Sequence, residues 1–309
     1  MRVQAGEGLR KLGELSDLLV VQVDQTNAHQ IQRVPPPPTW VLELAPESPD
    51  TEAEAAPPIT LTLVKIPGGS FWMGSPVGEG YDTEKPQRLV TVPEFWMGQM
   101  AVTQAQYHAV MGHNPVSLRG ENRPVETVSW YQAVKFCQRL SQQVGQQVRL
   151  PSEAEWEYAC RSHPATNANT PPFHCGATIN TDLANYRGTD YESAGQLISG
   201  AYGAEPKGIY REQTTDVGSF PPNAFGLYDL HGNVWEWCLD HWHDNYQGAP
   251  TDGSAWLTEM ETANRLLRGG SWFSNPRLCR SANRYGYDPG LRNYLIGFRV
   301  VYLAARTPA

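Results

Sequence analysis

A chain of 309 residues with a formal net charge of −8, 40% hydrophobic and 18% charged residues has the balance of a soluble globular protein, sized for one large domain or two modest ones. The acidic balance, with no local run of Lys or Arg, argues against nonspecific nucleic-acid binding, and no apolar stretch approaches the length that spans a membrane. The opening MRVQAGEGLRKLGELSDLLVV lacks a basic segment followed by a clean apolar run and a small-residue cleavage site, so a cytoplasmic location is expected. Cys137, Cys160, Cys175, Cys238 and Cys279 are scattered, with no C-x-x-C pair, which fits buried free thiols in a reducing compartment and argues against zinc. With 28 Gly, 25 Pro and 10 Trp, the chain calls for many turns clamped by aromatic rings.

Residues 1–58 read as an N-terminal arm. A short amphipathic helix is expected over residues 9–19 and a strand over 20–23. The run Pro35, Pro36, Pro37, Pro38 favours an extended segment, WVLEL alternates as a strand does, and residues 46–58 form an acidic linker with Glu47, Asp50, Glu52 and Glu54. From Ile59 to the end, residues 59–309, a single domain is expected. ITLTLVKI alternates as a half-buried strand, IPGGSFWMGSP turns into a second, and residues 89–92 and 95–97 supply more. Thr103 should cap a helix through Met111. Ser129 should cap another, with Ala133, Phe136, Cys137 and Leu140 on one face. Ser152 and Glu155 form a capping box whose helix buries Trp156 and Cys160. Residues 162–215 show no periodicity.

The densest local signature is GLYDLHGNVWEWCLDHW. Asp229, the carbonyls of Gly232 and Val234, and Glu236 form an oxygen set that suits calcium; the same carboxylates could equally accept backbone or arginine hydrogen bonds in a tight turn. His241 and His243, beside Asp240 and Asp244, read as a solvated surface rather than a transition-metal site. No sequence repeat, phosphate-cradling loop or nucleophile elbow is present.

Residues 265–301 interleave two kinds of position. RGGSW, CRSA and IGFRV look like framework: Gly269 and Gly270 allow a sharp turn, Trp272 and Phe298 anchor the ends, and Arg280, Arg284, Arg292 and Arg299 can tie loop carbonyls and carboxylates together. Between them lie Phe273, Ser274, Asn275, Leu278, Tyr285, Gly286, Tyr287, Leu291, Asn293, Tyr294 and Leu295, four of them aromatic and none charged. Tyr, Gly, Ser and Asn on a loop held at both ends is the composition of antibody-type binding surfaces. An ordinary surface loop with a few rings packed inward has the same composition.

Taken in order from about residue 60 to 303, IPGGSFWMGSP, AVTQAQYHAVMG, RPVETVSWYQAVKFCQRLS, VRLPSEAEWEYACR, GLYDLHGNVWEW and RGGSW…GFRVV resemble the formylglycine-generating enzyme (sulfatase-modifying factor) family. The resemblance implies an α+β fold of the C-type-lectin kind, with small twisted antiparallel sheets, two main helices and extensive loops. It places Asp229, Gly232, Val234 and Glu236 on a structural calcium site of the family. A second such site would start near Asn185, where the following ligands do not align. Catalytic members use a copper-binding cysteine pair to oxidise a substrate cysteine. Here Ser274 stands at the first position and Cys279 at the second. One thiol cannot supply the bis-thiolate set that selects cuprous copper, so no copper and no enzyme activity are expected. The related sulfoxide synthases of the ergothioneine pathway need clustered histidine iron ligands in an added N-terminal domain, and only His29 precedes His108. A copper- or iron-dependent oxidase or sulfoxide synthase is thus the competing class.

The C-terminal stretch also resembles the variable region of proteins diversified by retroelements, in which a reverse transcriptase randomises template adenines. An AAY asparagine codon then becomes any NNY codon, which reaches Phe, Ser, Leu, Tyr, Gly, Asp and Asn but not Lys, Glu, Gln, Met or Trp. All eleven positions obey that restriction, and Asn283, Asp288 and Gly290 are further candidates. This resemblance implies a non-catalytic protein whose variable region, about residues 268–300, sets its specificity for a protein or other macromolecular ligand. An inert loop with an assembly role is the third reading.

Overall fold

The helices begin where a side chain can cap them. α1 (Gln104–Met111), α2 (Trp130–Val144) and α3 (Glu153–Arg161) follow Thr103, Ser129 and Ser152. Each cap oxygen accepts from the amide three residues on, and the Gln or Glu there bonds back to the cap amide. Gly112 and Gly145 end the first two helices in the left-handed conformation, where a Cβ would be strained. The computed structural model describes residues 17–23, 29–44, 58–162 and 168–302. The acidic linker over residues 46–57 and the helix over residues 9–16 fall outside the described residues, while Leu18 and Leu19, expected to close that helix, open a strand.

In chain order the strands are β1 (Leu18–Val23), β2 (His29–Val34), β3 (Thr39–Leu44), β4 (Ile59–Ile66), β5 (Gly69–Met73), β6 (Arg88–Val92), β7 (Phe95–Gly98) and β8 (Val148–Arg149). They continue with β9 (Tyr191–Ser193), β10 (Gln196–Ile198), β11 (Trp235–His241), β12 (Arg265–Arg268), β13 (Tyr285–Tyr287), β14 (Ile296–Gly297) and β15 (Val301–Tyr302). A five-stranded antiparallel sheet runs β3-β4-β7-β15-β8, and a four-stranded one runs β13-β12-β11-β14 with β14 parallel to β11. Three two-stranded pairs complete an α+β fold of small sheets, few helices and long loops. β3, which precedes residue 59, forms an edge of the larger sheet and puts Leu42 and Leu44 into the core.

Burial follows the periodicity in two helices and exceeds it in the third. α2 buries Ala133, Phe136, Cys137 and Leu140, with Phe136 stacked on Tyr107 of α1 at 5.6 Å and edge-on to Phe298. In α3 all nine residues are buried, charged ones included. Glu153, Glu155 and Glu157 tolerate this because Arg284, Arg149, Arg161 and Arg268 meet them. A third core of Val23, Phe173, Cys175, Ile179, Ala184, Tyr186 and Cys279 lies behind the C-terminal loop and draws in β1.

Candidate binding surface

The C-terminal loop is pinned by four arginines, each reaching a buried carboxylate on another part of the chain. Arg268 bonds Glu157 of α3 and donates to the carbonyls of Ala282 and Asn283. Arg280 grips both oxygens of Glu84 at 2.8 and 2.7 Å. Arg284 does the same to Glu153 at 2.6 and 3.0 Å, and Arg299 to Glu236 at 2.6 and 2.7 Å. Burial pushes Glu84 and Glu153 toward protonation, but the bonds and charge of Arg280, Arg284 and Arg268 outweigh it and hold both below the usual carboxylate range. Arg292, expected to help, is exposed.

On this frame the eleven loop positions separate. Phe273, Tyr285 and Tyr294 are exposed, at 39%, 48% and 44%, and Leu278, Tyr287, Leu291, Asn293 and Leu295 are half-buried. The rings form two groups: in one, Tyr287 meets Tyr285 at 5.7 Å and Tyr285 meets Trp235 at 5.9 Å. In the other, Tyr294 and Phe273 each lie 5.8 Å from Trp272. Three positions do not project. Ser274 is buried and its Oγ accepts from the Ser271 amide at 3.0 Å. Asn275 is buried and caps the short helix Pro276–Cys279 through the Arg277 amide. Gly286 has no room for a side chain, since a Cβ there would lie 2.7 Å from the Trp242 indole. Asn293 is engaged too, its Oδ1 accepting from the Leu295 amide. Of the further candidates, Asn283 is buried, and Asp288 and Gly290 are exposed.

The other predicted sites are reshaped by the same arginines. Asp229 keeps one buried oxygen, Oδ1, without a partner, its Oδ2 accepting from the Gly218 amide. Burial pushes its carboxyl up to about 6. Glu236 is different: Arg299 takes both its oxygens and Trp156 Nε1 donates to one of them at 2.7 Å. A calcium ion held by Asp229, Gly232, Val234 and Glu236 would sit against a buried guanidinium, so Glu236 does not fit the calcium set. Among the described residues no group of three or more His, Cys, Asp or Glu is placed to hold a metal. Cys279 is fully buried, which raises its thiol well above the ordinary range and keeps it protonated. His241, expected on a solvated surface, is buried and accepts from the Thr258 amide at 2.8 Å, while His243 stacks on Trp256.

Behind the loop, His231 is buried with both ring nitrogens used. Nδ1 lies 2.7 Å from the Cys279 carbonyl, so it carries the proton, and Nε2 accepts from the His174 amide. Burial pulls its pKa down to about 4, against the opposing effect of the Cys279 bond. The unfolded chain takes up that proton near pH 6.5 and the folded chain only near 4. This contribution is complete above pH 6.5 and lost as pH falls toward 4, by at most about 3 kcal/mol. Between pH 4 and 6.5, wild-type stability from urea unfolding is expected to gain more with rising pH than that of His231→Gln. Equal slopes would refute the assignment. The comparison cancels Asp229 and Asp240, whose pKa values, raised by burial to about 6 and about 7, act in the opposite sense.

Sequence reasoning missed Arg187, Tyr191 and Tyr210, which lie in the stretch without periodicity yet border the loop: Tyr210 is 6.0 Å from Trp272 and 6.3 Å from Phe273. The only local signal was a tyrosine close to Arg187 in ANYRGTDY.

The Sulfatase-modifying factor enzyme 1-like domain matches residues 49–304. The chaperone protein LppX of Paenibacillus barcinonensis is 28% identical over 74% of this chain and 88% of its own length. The structure of PvdO from Pseudomonas aeruginosa is similar with a TM-score of 0.63 and 32% identity, covering 78% of this chain and 94% of that one. Treponema denticola variable protein 1 shares the fold at a TM-score of 0.64 and 24% identity, over 82% and 99% of the two chains. The cytoplasmic expectation is overturned, since PvdO is among the structural relatives that are periplasmic or secreted. The five cysteines, expected as buried free thiols, are all buried and unpaired, which packing alone explains. Among the described residues no helix is long and apolar enough to cross a membrane. With the family match spanning both the pinned loop and the sheets that hold it, the chain belongs to the sulfatase-modifying factor (formylglycine-generating enzyme) family.

Proposed function

We propose that this chain is a non-catalytic ligand-binding protein whose C-terminal loop surface is diversified by a retroelement to change binding specificity. The observation that carries the reading is the placement of Phe273 and Tyr294 against Trp272, and of Tyr285 and Tyr287 beside Trp235, on backbone fixed by buried arginine–carboxylate pairs. Rings with two torsions give large contact area at small entropic cost, and a backbone held by its own core tolerates their exchange. The variable set on this reading is narrower than the codon restriction allows, because Ser274, Asn275 and Gly286 serve the frame. Catalysis by a copper thiolate pair is not part of it: Ser274 Oγ is bonded to the Ser271 amide, and Cys279 is a buried thiol. Structural calcium is not part of it either, since Arg299 supplies the positive charge at Glu236.

Alanine at Phe273, Tyr285, Tyr287 or Tyr294 is expected to cost about 1 kcal/mol of stability or less. Each is expected to weaken a binder selected against the wild type by about 30-fold, the size of an interface hot spot. Denaturation midpoints and surface plasmon resonance measure the two. Unchanged affinity in all four variants would sink the reading, as would copper-dependent oxidation of a peptide cysteine with turnover. At the level of the gene, a neighbouring reverse transcriptase and a near-copy of the coding segment for residues 268–300, differing at adenines, is expected.

A further inference from the structure

Arg187 lies against the rings that border the loop. Its carbon Cζ lies 4.0 Å from the centre of the Tyr191 ring, 4.6 Å from Tyr210 and 5.8 Å from Phe273. The other arginines of this region behave differently: Arg268, Arg280, Arg284 and Arg299 each close on a carboxylate. Among the described residues, no hydrogen-bond acceptor and no carboxylate meets the Arg187 side chain, and its Nε is buried without a partner. Exposed Arg277 and Arg292 can be hydrated in place of a partner, whereas the rings beside Arg187 strip water from part of its guanidinium.

The position is also fixed. The Arg187 amide donates to the Ser274 carbonyl at 2.8 Å, which ties it to the variable loop. The next residue, Gly188, is laddered to Ile209 and Gly208, just before Tyr210. A Cβ on Gly188 would lie 2.5 Å from Thr181, so the backbone has no slack there. Asn275 Nδ2 donates to the Tyr191 hydroxyl at 3.4 Å, joining the frame of the loop to the wall beside the guanidinium.

We propose that Arg187 is a constant anion receptor within the binding face, receiving a carboxylate of the protein ligand while the surrounding varied residues adjust the remaining contacts. The proposal rests on the binding-surface reading and adds the chemistry of the partner. A guanidinium matches a planar carboxylate with paired N–H donors, and a site partly shielded by rings strengthens that bond relative to water. A polyanion is disfavoured, because the chain as a whole carries −8. Phe273, one of the varied residues, forms part of the wall, so a change there would tune the affinity of the constant site.

The test is a titration of full-length protein labelled with ¹⁵N-arginine, read at the side-chain Nε–H resonances. The probes are N-acetyl-glutamate amide, N-acetyl-glutamine amide and inorganic phosphate. A saturable shift of the Arg187 signal with the glutamate probe, at least five-fold weaker with the other two and absent in Arg187→Gln, is expected. Equal response to the glutamine probe, or a shift no larger at Arg187 than at exposed Arg277 and Arg292, would overturn the proposal. A stronger response to phosphate would overturn the choice of carboxylate. Arg187→Gln changes no buried ion pair, and an unchanged melting temperature shows that it folds. Tyr285→Ala and Tyr287→Ala should leave this titration unaltered while weakening a selected binder. Loss of the anion site and failure of the ring surface are thereby told apart.

Discussion

Replacing Glu157 by alanine is expected to cost about 3–5 kcal/mol of folding free energy, the size seen when one partner of a buried ion pair is removed. Glu157 is fully buried. One oxygen accepts from Arg161 Nε and from the Gly74 amide, both at 2.9 Å, and the other is bonded to Arg268. Alanine would leave the guanidinium of Arg268, itself fully buried, with Glu153 at 3.8 Å as its nearest remaining carboxylate. Glu153 is already committed to Arg284. Because Arg268 opens the pinned loop and holds the carbonyls of Ala282 and Asn283, the same change should loosen the presented surface. Urea unfolding measures the first effect and proteolysis within residues 269–295 the second. A loss below about 1 kcal/mol would show that water or Glu153 replaces Glu157 readily. The double variant Glu157→Gln/Arg268→Met should cost less than the sum of its single changes, because it removes both charges together.

What could be read from the chain beforehand was whatever depends on neighbours in sequence. Thr103, Ser129 and Ser152 announce their helices because a cap and its partner are three residues apart. ITLTLVKI announces β4 by alternation, and the framework residues Trp272, Arg280, Arg284, Phe298 and Arg299 are buried as their chemistry suggested. What could not be read depends on distant partners. Arg280 and Glu84 are 196 positions apart, and nothing in either local sequence names the other. The same holds for Glu236, whose spacing suits a calcium ligand until Arg299, 63 positions on and just after β14, closes on it. Ser274 and Asn275 look like free loop residues, yet the turn that follows Trp272 directs them inward to the Ser271 and Arg277 amides. β2 went unseen because HQIQRV pairs with β1 while leaving nearly all its side chains in solvent, so no apolar alternation marks it.

Gly232→Ala is expected to be among the most damaging single-methyl changes in the chain, costing about 4 kcal/mol or more from two separate sources. Its φ of 138° lies in a region that only glycine enters without strain, a penalty of about 1–3 kcal/mol. A Cβ there would also stand 2.3 Å from the Asn185 carbonyl oxygen, a backbone atom that no side-chain rotation can move. That carbonyl accepts from the Asn233 amide at 2.8 Å, so relieving the overlap breaks a buried hydrogen bond worth about 1–3 kcal/mol when left unsatisfied. Gly145→Ala supplies the control. Gly145 has φ 67° but nothing within 4 Å of its Cβ position, so only the torsional cost of about 1 kcal/mol applies. Chemical denaturation of the two variants side by side is the measurement. If both lose about the same stability, the close approach of residues 232 and 185 is not what holds this corner. If Gly232→Ala alone fails to fold, the corner that carries β11 and the Trp272 turn depends on it, through the bond from the Trp272 amide to the Asn233 carbonyl. The glycine then serves the presented loop by letting two backbones meet, whether or not its carbonyl ever faces an ion.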